Sequence, residues 1–416
     1  MADLGEYIKG MARAARAASV SLRTMNAQQK NKALAAIAAA IDASRSSIRE
    51  ANARDLERGK AAGLSVAFLD RLTLTDKRID EIIASLHSIA GFDDPVGEVT
   101  GSRNPDGLLL EKVRTPIGVI CMIFESRPNV TVDSAALCLK SGNAAILRAG
   151  SEARESSLAL IACIRDGLAR AEIPADAVQY VERPEHEAID HLVTQTGLID
   201  LVIPRGGEAL IRRVVEEATV PVIKHYKGVC HIYVDKTADL AMAARVVANS
   251  KMQRPGTCNA LEKLLVHEQI ASAFLPRMKE ALPGVELRAE ARAAVFLGGA
   301  KPATEEDWYA EYLDLILAVK VVSGVEEAAA HIEKYGSSHT DGICATDVAT
   351  IERFVALVDS SVVTVNASTR LNDGGVFGLG AEIGISTDKL HARGPMGLKE
   401  LTTFKWVVRG NGNLRT

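Results

Sequence analysis

From Pro116 onward the chain alternates short apolar runs with helical segments, and this alternation limits the possible folds more than any other feature. The run Ile117-Gly-Val-Ile-Cys-Met-Ile123 is apolar without a break, as a strand covered on both faces must be. A helical segment at 130–140 follows and stops at Ser141-Gly-Asn143, where glycine can take the left-handed turn that closes a helix. Strands at 144–147, 178–181 and 198–203 then alternate with helices at 152–170, 187–195 and 208–218. A second series begins after Lys224, with strands at 231–234, 263–266, 312–322, 342–346 and 362–366 and helices at 240–249, 270–282, 325–335 and 351–358. Repeated β-α-β segments predict an α/β fold built on parallel, helix-covered sheets. The 416 residues are enough for two or three cores.

Sheets of this kind bind ligands beyond the carboxyl ends of their strands. Three turns fall there in the first series: Glu125-Ser-Arg-Pro-Asn129, Arg148-Ala-Gly150 and Pro204-Arg-Gly-Gly207. Arg205, Gly206 and Gly207 precede a helix, so their backbone N–H groups suit a phosphate cradle; a plain tight turn is the alternative. Neither G-x-G-x-x-G nor the Walker A pattern occurs, so the usual nucleotide fingerprints are absent. His186 and His191 are spaced i, i+5, which puts them on different sides of a helix, and no metal site is expected.

Residues 1–98 read as helices. Asn26 and Gln29 have capping-box spacing. Leu34, Ile37, Ala38 and Ile41 form one apolar face, and Ile79, Ile82, Ile83, Leu86 and Ile89 form another behind the cap Thr75. The charged span 48–60 reads as a solvated helix surface. Strand-like segments at 97–100 and 108–113 flank a Gly/Asn/Pro/Asp turn at 101–107, which predicts a β-hairpin. The run Leu401 to Val408 has the pattern of a strand able to pair with it. Near the C-terminus, 374–380 holds four glycines within a long irregular stretch, the kind of loop that is usually functional.

The second series contains Asn249-Ser-Lys-Met-Gln-Arg-Pro-Gly-Thr-Cys-Asn-Ala-Leu-Glu262. Pro255-Gly256 breaks the preceding helix, so Cys258 falls on a loop or at a helix start. There, N–H dipoles and Lys251 or Arg254 can stabilise a thiolate. Such a thiolate is a nucleophile, although most cysteines are simply small buried hydrophobes. The six cysteines include no C-x-x-C pair, which removes zinc-ribbon and thioredoxin-like readings. A net charge of −4 gives no reason to expect nucleic acid or an acidic membrane as partner. No signal-peptide pattern and no apolar run of about 18 residues occurs, so a cytoplasmic location is expected.

Several segments occur together in one order: Pro116-Ile-Gly-Val-Ile, Phe124-Glu-Ser-Arg-Pro-Asn-Val-Thr131, Leu139-Lys-Ser-Gly-Asn143, Ile203-Pro-Arg-Gly-Gly207, Lys251-Met-Gln-Arg-Pro-Gly-Thr-Cys-Asn-Ala260, Val365-Asn-Ala-Ser-Thr-Arg370 and His391-Ala-Arg-Gly-Pro-Met-Gly-Leu398. With them the chain resembles the aldehyde dehydrogenase superfamily, in particular its branch acting on the acyl phosphate of glutamate. The resemblance implies an aldehyde dehydrogenase-like α/β fold with two parallel-sheet domains and a small β oligomerisation flap. The nucleotide-binding domain would comprise 1–98 and 116–228, the catalytic domain 229–400, and the flap 99–115 and 401–416. It also implies NADPH-dependent reduction of L-glutamyl 5-phosphate to L-glutamate 5-semialdehyde and phosphate, in proline biosynthesis. A homo-oligomer and functional coupling to glutamate 5-kinase are implied as well.

Carried over residue by residue, Cys258 would be the nucleophile and Asn129 the side-chain donor of the oxyanion hole. Arg148 stands where relatives place a lysine beside the adenosine ribose, and Glu311 resembles the carboxylate that holds the nicotinamide ribose. Arg205, Gly206 and Gly207 are further cofactor candidates. Arg127, Arg254 and Arg370 are candidates for the substrate's phosphate and α-carboxylate, which arginine can grip in bidentate fashion. Hydrolytic relatives place a glutamate base near the position of Lys224-His-Tyr-Lys-Gly228, but no glutamate occurs between Ala218 and Leu261. That favours release of the acyl group to phosphate over hydrolysis. A coenzyme A-dependent or hydrolytic dehydrogenase is the near alternative. A cysteine hydrolase using His225 or His231 as base, or a non-catalytic binding relative, is the distant one.

Overall fold

The computed structural model describes residues 3–125, 127–379 and 381–415. Ser126 in the 125–129 turn, Gly380 at the end of the glycine-rich loop, and Met1, Ala2 and Thr416 in the two terminal segments lie outside the described residues. Five helices come first: α1 (Leu4–Leu22), α2 (Ala27–Ala43), α3 (Arg45–Ala61), α4 (Val66–Leu72) and α5 (Asp76–Gly91). Asn26 and Gln29 form the reciprocal capping box of α2, at 2.9 and 3.0 Å, and Thr75 caps α5 through the N–H of Arg78.

The reading of 48–60 as a solvated surface needs correction. Helix α3 buries Ile48, Ala51, Asn52, Asp55 and Gly59. The Asp55 carboxylate accepts the backbone N–H groups of Glu155 (3.2 Å) and Ser156 (2.7 Å) and the Ser156 hydroxyl (2.6 Å). It thereby satisfies orphan donors in the first turn of another helix, Arg154–Arg170. Asn52 bonds Leu72 O and Ser156 Oγ alongside it. Apolar periodicity cannot reveal a buried face whose members are partly polar.

Next come β1 (Val99–Arg103), β2 (Leu109–Pro116) and β3 (Val119–Phe124). The hairpin turn is shorter than expected: β1 runs through Gly101 to Arg103, and a single 3-10 turn, Pro105–Gly107, reverses the chain. Beyond β3 the chain alternates through α6 (Asn129–Lys140), β4 (Ala144–Ala149), α7 (Arg154–Arg170), β5 (Val178–Tyr180), α8 (Glu187–Val193), β6 (Leu201–Arg205) and α9 (Glu208–Glu217). Strands β5-β4-β3-β6 form a four-stranded parallel sheet. All six residues of β3 are buried, which accounts for the unbroken apolar run; each such side chain contributes about 1.5–3 kcal/mol.

The second series supplies β7 (Cys230–Val234), α10 (Leu240–Met252), β8 (Leu261–His267), α11 (Glu268–Ala281), β9 (Glu286–Ala289), α12 (Ala291–Ala294), β10 (Lys301–Pro302), α13 (Glu305–Tyr309), β11 (Ile316–Val322), α14 (Val325–Tyr335), β12 (Thr340–Cys344), α15 (Val348–Leu357) and β13 (Val362–Val365). These strands form a seven-stranded parallel sheet in the order β10-β9-β11-β8-β7-β12-β13. The strand expected from 312 begins only at Ile316, because Leu313 takes a left-handed backbone (φ 53°) that ends any extended run. The irregular stretch near the C-terminus contains a two-stranded ribbon, β14 (Ile385–Ser386) with β15 (Gly394–Pro395).

The last strand, β16 (Thr402–Arg409), pairs antiparallel with β2 along its whole length, making a three-stranded sheet with β1. Phe404, Trp406 and Val408 alternate on β16 and are exposed. Lys112 and Arg114 lie over the Phe404 ring at 4.4 and 4.5 Å. The chain divides into two compact units: one comprises 1–224, 378–384 and 396–416, the other 225–377 and 385–395. Among the described residues no helix is long and apolar enough to cross a membrane.

Candidate active site

In the second unit, α10 ends at Met252 and the residues before β8 form consecutive turns rather than a helix start. Ala260 N–H bonds Thr257 O at 2.9 Å, the Thr257 hydroxyl bonds Arg254 O at 2.9 Å, and Asn259 Nδ2 bonds Asn372 O at 2.8 Å. Cys258 rides on this framework half-buried, whereas the other five cysteines are buried. Burial pushes the thiols of Cys121, Cys138 and Cys344 up to about 12. They are inert packing residues.

The Cys258 carbonyl is fixed from two sides. Cys230 Sγ donates to it at 3.2 Å, and Gly228 approaches so closely that a Cβ there would stand 1.7 Å from the oxygen. Only glycine fits at 228. The Gly228 N–H donates to Glu311 Oε1 at 2.8 Å, which brings Glu311 beside the cysteine loop. Arg370 closes the other side: its Nε bonds Gln253 Oε1 at 2.8 Å and its guanidinium also bonds Asn259 Oδ1. Desolvation, and then the charge of Arg254, hold the Arg370 guanidinium below its ordinary range. Arg254 itself is exposed.

Lys251 does not serve the cysteine as the sequence suggested. It is fully buried and points into the core, donating to Leu261 O (2.9 Å) and Glu262 Oε2 (3.2 Å). Glu262 also accepts the N–H of Leu313 at 3.3 Å. Burial pushes its carboxyl up to about 7, against the attraction of Lys251 and Lys263. Of the two histidines considered as bases, His231 is bound to Asp341 at 2.9 Å. His225 instead lies with Cys258, and so does His339, which the sequence did not single out: one ring nitrogen of each and the sulfur are within 4.8 Å of one another.

In the first unit the remaining candidates gather where β3, β4 and β6 end. Asn129 opens α6, and its Nδ2 donates to Asp133 Oδ2 at 3.0 Å. Desolvation raises the Asp133 carboxyl, an effect that the bonds from Asn129 and Ser85 oppose. Arg127 is exposed on the turn before α6. Arg148 is buried at the end of β4, donating to Ala149 O (3.1 Å) and Pro184 O (3.4 Å). At the start of α9, Gly207 N–H donates to Glu125 Oε2 at 2.9 Å. A Cβ on Gly206 would stand 2.5 Å from that same oxygen. The Gly206-Gly207 turn thus accepts an anion, here a carboxylate of the same chain, at a helix N-terminus. Arg205 lies against Gly384, where a Cβ would meet its Nη1 at 2.7 Å.

Comparison with known proteins bears on the family of the chain. The sequence profile of the aldehyde dehydrogenase family matches residues 5–318. The gamma-glutamyl phosphate reductase of Geotalea daltonii is 52% identical over 415 residues, 99% of each chain. That of Desulfatibacillum aliphaticivorans is 52% identical over 417 residues, 100% of each. The crystal structure of the gamma-glutamyl phosphate reductase of Thermotoga maritima superposes with a TM-score of 0.96 at 48% identity, covering 98% of this chain and 100% of that one. Members of the aldehyde dehydrogenase family use nicotinamide cofactors. With a family profile over most of its length and full-length relatives at half identity, the chain belongs to the aldehyde dehydrogenase family, among its gamma-glutamyl phosphate reductases.

Proposed function

We propose that this chain reduces L-glutamyl 5-phosphate to L-glutamate 5-semialdehyde and phosphate, with NADPH as reductant and Cys258 as nucleophile. The observation that carries this reading is the composition of the cysteine loop. A half-buried thiol stands with Arg254 and Arg370, while Glu262 and Glu311 are both held by other partners. The thiolate attacks the acyl carbon, a C–S bond forms, and phosphate leaves with the electron pair of the broken C–O bond. Arg254 and Arg370 bind the departing phosphate or the α-carboxylate, with Arg127 as the third candidate. The Cys258 N–H donates to the developing oxyanion, and Asn129, bonded to Asp133 in the first unit, is the residue that the family resemblance assigns as the side-chain donor. A bound reduced nicotinamide would supply a hydride to the thioester carbon, and the resulting thiohemiacetal on Cys258 becomes the aldehyde only when its C–S bond breaks. Expulsion of the thiolate then restores Cys258.

Cofactor residues in this reading are Arg148, Arg205, Gly206, Gly207 and Glu311. The Gly206-Gly207 turn suits an anionic group, because it already accepts a carboxylate. Arginines on the same edge suit the extra phosphate of NADPH over NADH. The exposed Phe404, Trp406 and Val408 of the three-stranded sheet make it the candidate surface for a homo-oligomer. The lability of acyl phosphates supports functional coupling to glutamate 5-kinase.

The test is NADP⁺ reduction with glutamate semialdehyde, with and without inorganic phosphate, in wild type and Cys258→Ala. Phosphate-dependent turnover that falls at least about 10³-fold in the variant is expected. Phosphate-independent turnover would point to hydrolysis and overturn the reading.

A further inference from the structure

Cys258, His225 and His339 reach one place from three separate stretches, before β8, before β7 and before β12. One ring nitrogen of each histidine and the Cys258 sulfur lie within 4.8 Å of one another. From this convergence we infer that the chain carries an inhibitory site for a borderline-soft divalent cation, of the Zn²⁺ class, bound by the Cys258 thiolate and the two imidazoles.

The donor set selects the ion. One sulfur and two imidazole nitrogens, with no carboxylate among them, suit Zn²⁺ or Co²⁺ and not Mg²⁺ or Ca²⁺, which require oxygen ligands. Zinc–sulfur and zinc–nitrogen bonds of about 2.3 and 2.0–2.1 Å put tetrahedral ligand atoms roughly 3.3–3.7 Å apart. Closing the trio by about 1 Å needs side-chain adjustment only, and Cys258 and His225 are both half-buried.

The surroundings prepare the imidazoles. His225 Nδ1 lies 2.9 Å from Ile385 O. A carbonyl only accepts, so Nδ1 carries the hydrogen and Nε2 keeps the lone pair that a metal needs. His339 is fully buried, and its Nδ1 lies 2.7 Å from Thr340 Oγ1, a hydroxyl that accepts from Asn372 Nδ2 at 2.7 Å. That chain of bonds fixes the ring plane. A second sulfur is close, since Cys230 Sγ is 3.9 Å from His339 Nδ1. Cys230 already donates to the Cys258 carbonyl, and the sulfur that falls within the 4.8 Å cluster is that of Cys258. Cys258 is therefore the ligand.

Arg254 and Arg370 oppose a dication here, and the thiolate is the one ligand of the three that offsets them. Affinity should depend on it more than on either histidine. On binding, the thiol proton passes to solvent and a sulfur–metal bond forms, with nothing oxidised or reduced. The nucleophile is then unavailable to any acyl substrate.

The experiment is a Co²⁺ titration of the full-length, substrate-free enzyme, followed by the near-ultraviolet sulfur-to-cobalt charge-transfer band. Wild type should bind one equivalent with that band, and Zn²⁺ should displace it. Cys258→Ala should lose the band, and Cys230→Ala should keep it. His225→Ala and His339→Gln should each weaken binding by more than about tenfold, with circular dichroism confirming that both variants are folded. No band in wild type, a band surviving in Cys258→Ala, or unchanged affinity in the folded histidine variants would overturn the site. Because the readout needs no turnover, a chain that binds Co²⁺ but does not reduce the acyl phosphate would sink the proposed function and leave this site standing.

Discussion

In the four-stranded sheet the candidate residues lie past the carboxyl ends of β3, β4 and β6, whereas in the seven-stranded sheet they lie before the amino ends of β7, β8, β11 and β12. The difference has an electrostatic consequence. Helices that connect parallel strands run opposite to them, so their N-termini face the carboxyl edge and their C-termini the amino edge. At the first edge backbone N–H groups can hold an anion unaided, and Gly207 does so with Glu125. At the second edge α10 presents its C-terminal end, so positive charge has to come from side chains, and Arg254 and Arg370 stand there. One edge offers an anion backbone N–H groups, the other offers arginine side chains.

The largest expected effect tests how tightly the amino edge is built. Gly228→Ala drives a methyl into the Cys258 carbonyl and should cost about 3 kcal/mol or more of stability, since backbone cannot yield as a side chain does. A thermal unfolding midpoint equal to wild type would mean that the cysteine loop is free to move.

Arg370→Ala should come next, lowering kcat/KM for the acyl phosphate roughly 10- to 100-fold, the worth of a charge-assisted hydrogen bond. Arg370→Lys should recover little of it, because lysine has no planar fork to bond Gln253 and Asn259 together. Full activity in Arg370→Ala would remove the contrast between the two edges.

Asp307 allows a pH test within the second unit. Its burial would raise the carboxyl, but the Thr304 N–H, Arg288 and Tyr312 together outweigh that and lower it to about 2. A folded value below the unfolded one gives stability that is present above about pH 4 and lost as pH falls toward 2. The contribution is about 2 kcal/mol. Asp307→Asn should therefore be less stable than wild type at pH 7, with the gap narrowing in acid, as denaturant titrations at the two pH values would show. A gap independent of pH would assign the effect to packing alone.

The smallest effect belongs to the carboxyl edge. Glu125→Gln removes the carboxylate competing for the start of α9, so the KM for the nicotinamide cofactor should fall about two- to fivefold with kcat unchanged, in line with about 0.3–1 kcal/mol for a charge at a helix end. A rise in KM would mean that Glu125 helps to hold the cofactor rather than screening it.

The sequence alone determined the parallel α/β architecture, the capped helices α2 and α5 and the cysteine loop, because each is written in neighbouring residues: an unbroken apolar run, a capping pair, a Pro-Gly break. It also marked Cys258 as the nucleophile candidate through a contiguous motif. The polar core under α3 escaped it, since Asn52 and Asp55 find their partners about a hundred residues away, at Ser156. Lys251 was misread for a similar reason. Its proximity in sequence to Cys258 gave no sign that the chain direction at the end of α10 sends it inward to Glu262.

Only the tertiary structure decided that the candidate residues of the second unit gather at its amino edge and that His225 and His339 converge on Cys258. Strands β7, β8 and β12 are neighbours in the sheet, yet their starts are separated by long connections. Strand order is set by how the crossover helices bury their faces, and no local periodicity encodes it. The same holds for Gly228, an ordinary loop glycine until the fold brings it against the Cys258 carbonyl.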